Sequence, residues 1–148
     1  MEKNYFSILS NIYDFFWSES PKTLKIVNKM DSYDILNDNF EPILNQKMDC
    51  IRSLKPKNLI FDYTHLDFSY PVSVQVEVSK QFYNCFLEVG LEKFACVTPK
   101  DFIVYLSLEQ IMDELIVLNP SFDISFFRHG TEAKKWMGLD ENTVFVKK

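Results

Sequence analysis

At 148 residues, with 47% hydrophobic and 25% charged side chains, the chain has the make-up of one globular domain and not of a disordered segment. Its 16 basic residues are scattered among 21 acidic ones, for a formal net charge of −5. No cationic stripe could follow a phosphate backbone, so nucleic acid is not an expected partner. No apolar run approaches the roughly 18 residues that a membrane span needs, and the start "MEKNYFSILSN" has no cleavable small-residue site.

Cys50, Cys85 and Cys96 form an odd set without CxxC spacing, which predicts neither a disulfide framework nor a zinc site. Reduced thiols suit a cytoplasmic protein. The unusual quantity is aromatic content, with 14 Phe, 7 Tyr and 2 Trp. A Phe-rich core accounts for it, and an exposed patch for self-association or an apolar ligand is the alternative.

In chain order, Tyr5, Ile8, Leu9, Ile12, Tyr13 and Phe16 fit helical spacing, while "IYDFFWS" is β-prone and "SESPK" marks a turn. The reading adopted is a hairpin of strands 12–18 and 23–30. Asp38 followed by Glu41, with Pro42 in the first turn, predicts a helix start. Phe40, Ile43, Leu44, Met48, Ile51 and Leu54 then make one apolar face. "KPKN" stops that helix, and "LIFDYT" follows as a buried strand over 59–64.

Residues 71–89 fit two periods. Val72, Val74, Val76 and Val78 alternate like a strand, and Val74, Val78, Phe82, Cys85, Phe86 and Val89 form a helical stripe. Ser69 as N-cap, Pro71 near N1 and Gly90 as C-terminal stop favour the helix. "KFACVT" reads as a second buried strand over 93–98. Thr98, Pro99 and Asp101 predict the start of a helix that runs to Pro120. "FDISFF" is a last strand and "TEAKKWMG" a closing helix that ends at Gly138. Strands alternating with helices predict an α/β fold: a single, mostly parallel sheet with crossover helices, entered through an N-terminal hairpin. The absence of repeats and Gly/Ser linkers predicts one domain over 1–148.

"SLKPKNLIFDYTHLDF", "EVGLEKFACVTPKDF" and "FDISFFRHGTEAKKWM" together resemble the SpoIIAA-like (anti-sigma-factor-antagonist-like) group of STAS-type domains, over roughly residues 20–138. These are related to CRAL-TRIO-type domains. The resemblance implies a regulatory, partner-binding protein. Phosphoswitch members carry an Asp-Ser-Ser-Gly-type turn after the strand placed here at 59–64. This chain has "DFSYPVS" there, so only Ser69 or Ser73 could accept a phosphoryl group, and the turn glycine is missing.

Asp62, His65, Asp67 and Ser69, with Arg128 and His129 from the last strand, make up the expected ligand or partner rim, at the carboxyl ends of parallel strands. Asp62, His65 and Asp67 have metal-ligand chemistry but lack a dependable fourth ligand, so no metal is expected. Triads of Ser69 with His65 and Asp62, or with His129 and Asp67, lack a nucleophile elbow or glycine-rich oxyanion loop, so no catalytic residue is assigned. Arg128 and His129 could receive an anionic group. The expected function is a non-enzymatic regulatory or protein-interaction module, without cofactor, binding a protein partner or a second copy. A carrier or sensor of a small apolar or lipid-like ligand is the alternative. Phe15, Phe16 and Trp17 are expected on an exposed edge strand that a homodimer would cover.

Overall fold

The computed structural model describes residues 9–29, 33–140 and 142–148, the side chain at position 35 excepted. The helical option at Tyr5 and Ile8, and Met30 as a strand end, lie outside those residues. The elements run β1 (Tyr13–Glu19), β2 (Lys22–Asn28), α1 (Tyr33–Leu54), β3 (Asn58–Asp62), α2 (Val72–Glu88), β4 (Lys93–Val97), α3 (Phe102–Val117), β5 (Asp123–Phe127), α4 (Gly130–Trp136) and β6 (Val146–Lys147). One six-stranded sheet has the order β5-β4-β3-β2-β1-β6. β2 to β5 are parallel, while β1 pairs antiparallel with β2 and with β6. The α/β fold with its entering hairpin is as expected.

The two faces of the sheet are covered unequally. Leu24, Ile26, Leu59, Phe61, Phe94 and Cys96 point into a large cluster with α1, α2 and α3. Ile60, Ala95 and Val97 point the other way, into a small cluster with Ala133, Met137 and Leu139. Alternation along β3 and β4 sorts these sets, because successive strand residues face opposite sides. Much of the aromatic surplus is core. Phe61, Phe82, Phe86, Phe94 and Phe122 interlock, and Phe86 and Phe94 lie 4.8 Å apart.

Three predicted helix starts move. α1 begins at Tyr33 and breaks at Asn39, whose backbone (φ −139°, ψ 26°) is not helical. The helix therefore restarts after Asn39, one residue beyond the predicted cap at Asp38, with Pro42 in the first turn, where no partner N–H is lost. α2 begins at Val72, the cap position is Pro71, and no side chain caps it. Ser69 is thus not the N-cap, since a proline forces the residue before it out of the helical region. α3 begins at Phe102, and the Asp101 carboxylate accepts from the Ile103 and Val104 amides at 2.9 and 3.0 Å. Thr98 instead extends the sheet, its N–H donating to the Phe127 carbonyl at 2.8 Å.

The helix ends fall where glycine predicted them. Gly90 (φ 71°) and Gly138 (φ 75°) each adopt the left-handed conformation that closes α2 and α4. Leu91 donates back to the Phe86 carbonyl, and Leu139 to that of Lys134.

The expected exposure of the first strand is corrected. β6 pairs with β1 opposite Phe16 and Trp17, Phe15 is fully buried, and Trp17 is 8% exposed. Phe15 and Trp17 point under α1, and only Phe16 lies on the thinly covered face. Asp101→Ala should lower stability by about 1 kcal/mol, whereas Ser69→Ala should change it by a few tenths at most. Urea denaturation of the two variants checks this reassignment of the caps.

Candidate functional site

The loop after β3 turns at Thr64 and His65, where the Leu66 amide donates to the Tyr63 carbonyl, and then continues to Tyr70 with alternating burial. Leu66, Phe68 and Tyr70 turn inward, while His65 and Asp67 are exposed and Ser69 is half-buried. Phe68 packs against Tyr33, Phe40 and Tyr70. The apolar half of "THLDFSYP" therefore anchors the loop, and its polar half is what remains outside. Asp62 closes the turn, accepting from the Thr64 amide at 3.0 Å and the Thr64 hydroxyl at 2.6 Å.

The six expected rim residues do not form one site. Asp62, His65 and Ser69 make no hydrogen bond to one another, and neither do Asp67, His129 and Ser69. Among the described residues no three His, Cys, Asp or Glu side chains gather as a metal site. Burial holds the Cys50 and Cys85 thiols up at about 12, and pushes Cys96 up as well, so all three stay protonated.

Arg128 and His129 do meet other groups. They line a cleft of about 370 Å³ at the carboxyl ends of β3, β4 and β5, with Thr64, Thr98, Pro99 and Lys100 around it. Gly130 and Val97 complete the wall, so among the described residues no acid lines it. Lys25 Nζ lies behind, 3.8 Å from where a Cβ on Gly130 would stand. Its amine is held below the ordinary range first by burial and then by the charge of Lys134, with Asp62 acting in the opposite direction.

On the other face the structure holds a group that the sequence reading passed over. Lys47 is fully buried, and its Nζ has no hydrogen-bond partner among the described residues. It stands 3.7 Å from the centre of the Phe61 ring, 4.9 Å from Tyr13 and 5.2 Å from Tyr63. The Tyr63 hydroxyl and Asn28 Oδ1 are likewise buried without partners. Asn28 lies opposite Tyr13 in the β1–β2 register, so these groups share one end of the sheet. The signal was present: Lys47 is three residues after Leu44 and four before Ile51, on the apolar face of α1.

Burial lowers the Lys47 amine from its ordinary value near 10.5 to about 7, and the nearby Cys96 opposes this only in part. Tyr13 and Tyr63, which also face it, are both pushed upward by burial. No family model matches this chain, and no curated protein or solved structure matches it.

Lys47 makes stability depend on pH. Between about 7 and 10.5 the unfolded chain holds a proton that folded Lys47 has released, so stability rises with pH across that window. From about pH 9 upward the cysteines act oppositely, because the folded chain keeps protons that the unfolded one loses. The clean range is therefore pH 7 to 8.5. There the wild-type unfolding free energy should climb by up to about 1.4 kcal/mol per pH unit. Lys47→Met should flatten that climb and raise stability at pH 7 by about 1–4 kcal/mol. Urea titrations of both proteins at several pH values measure the two effects.

Proposed function

We propose that this chain is a non-enzymatic protein-interaction module of the STAS-like type, which binds by adding a strand to β5 and covering α3. A second copy of the chain is the partner we assign. The observation that carries this reading is the unpaired edge of β5. The sheet order ends at that strand, and among the described residues no strand lies beyond it. The Asp123 amide donates to the Glu92 carbonyl, and the Phe127 carbonyl accepts from Thr98, so these residues face β4. Alternation then turns the backbone groups of Ile124 and Phe126 outward, where a new strand would pair with them.

Twofold pairing suits this edge. About a dyad at Ser125, Ile124 stands opposite the partner's Phe126, and both residues of each pair direct their donors and acceptors at the seam. The helix above supports the same side. Tyr105 of α3 packs on Phe126 with ring centres 6.1 Å apart. Phe102 and Ile116 fall on the same stripe as Tyr105 at helical spacing, and they are 67% and 53% exposed. An antiparallel seam along β5 brings the two α3 stripes toward each other and shields those side chains from water.

The carrier reading has less support, because Phe61, Phe82, Phe86, Phe94 and Phe122 fill space against one another. Phosphorylation of Ser69 has no positive support either, since that residue neither caps α2 nor lines the cleft. Light scattering tests the proposal. The wild type should be dimeric at micromolar concentration, and the double variant Phe102→Glu/Ile116→Glu should associate about tenfold more weakly or worse, with its melting temperature nearly unchanged. A wild type that stays monomeric up to its highest workable concentration contradicts the self-pairing. Reproducible substrate turnover by the wild type, lost on His65→Ala or Ser69→Ala, contradicts the non-enzyme reading.

A further inference from the structure

The cleft at the carboxyl edge carries a second assignment, which does not rest on the pairing of β5. All three ionisable residues that line it, Lys100, Arg128 and His129, are basic, in a chain whose net charge is −5. Their side chains are exposed and take no part in the ion pairs among the described residues. Behind the wall, Lys25 and Lys134 repel each other, and the charge of Asp62 acts on Lys25 in the opposite sense. Asp62 itself is engaged by both the amide and the hydroxyl of Thr64. A concentration of positive charge in a half-open concavity, with no carboxylate among the described residues of its wall, attracts an anion and holds it more firmly than the same charges spread over a flat surface.

We propose that this cleft binds a small molecule through a phosphate group, held by the side chains of Thr98, Lys100, Arg128 and His129. The contributors come from two loops, one after β4 and one after β5, so they surround a ligand instead of meeting it from one side. That arrangement suits the divergent oxygens of a tetrahedral dianion better than a planar carboxylate, which a single forked guanidinium would satisfy. The volume, about 370 Å³, accommodates a phosphate and a modest organic portion. α4 has seven residues, and no part of the assignment is taken from its N-terminus. The position agrees with the general placement of ligands at the carboxyl ends of parallel strands.

The test is an amide NMR titration of the full chain with inorganic phosphate at constant ionic strength, with sodium acetate as a parallel arm. Fixed ionic strength removes general screening as a cause of shifts. Saturable shifts at Thr98, Lys100 and Gly130 are expected with phosphate, and non-saturating ones with acetate. In Lys100→Gln/Arg128→Gln the apparent affinity should fall by about tenfold or more, as expected when charge-assisted contacts are lost. Both positions are exposed, so the spectrum away from the cleft should be unchanged and a folding failure would be visible. Three results would each overturn the assignment: no saturation with phosphate, equal saturation with acetate, or undiminished binding by the double variant.

Discussion

The ring of Phe61 is the contact on which the architecture turns. It sits on β3, between β2 and β4, and Tyr63, Phe82, Phe86 and Phe94 meet it edge-on with centres 4.9 to 6.0 Å away. Edge-to-face packing places the positive rim of one ring on the negative face of another, which adds direction to burial that would otherwise be non-specific. That face also receives Lys47 from α1. Phe61 thus meets α1 through Lys47 and α2 through Phe82 and Phe86, on the side of the sheet that carries three helices. The other side keeps small residues, Ala95 among them, and the short helix α4.

This asymmetry sets where the open surfaces of the molecule lie. A thinly covered face ends at its carboxyl edge in loops, not in a long helix, and the basic cleft forms there. The thick face ends laterally at α3, whose outward stripe is only partly covered, beside the open strand β5. Lys47 belongs to neither surface. A buried amine without an acid partner costs stability, and the aromatic rings around it offset part of that cost. It marks a place where the fold departs from an all-apolar core, at the end of the sheet that also holds Tyr13, Asn28 and Tyr63.

Much of the fold was legible from local signals. Alternation and apolar runs located the strands to within one or two residues at most ends, because buried parallel strands leave few other patterns. Gly90 and Gly138 located helix ends, since the left-handed closing residue has a strong chemical preference. The helix starts were less legible. Asp38, Ser69 and Thr98 each have capping side chains, but α1 starts earlier, at Tyr33, Pro71 holds Tyr70 extended so that Ser69 cannot cap α2, and Asp101 caps α3 in place of Thr98. β6, two residues long, carries too little pattern to be seen, and without it Trp17 looked exposed. The rim was half legible. Arg128 and His129 reach a cleft, whereas His65, Asp67 and Ser69 are the outer half of an alternating loop that Leu66, Phe68 and Tyr70 anchor from inside. Lys47 was not singled out in the sequence, although helical spacing puts it among Leu44, Met48 and Ile51, because a charged side chain is seldom fully buried.

Residue-resolved amide hydrogen exchange at high protein concentration tests the proposed β5 seam most directly. The Ser125 and Phe127 amides face β4 and should be protected at every concentration. The account predicts that the outward amides of Ile124 and Phe126 gain comparable protection as concentration rises and a second strand pairs with them. Free exchange at Ile124 and Phe126 under those conditions, with Ser125 and Phe127 still protected, would contradict it.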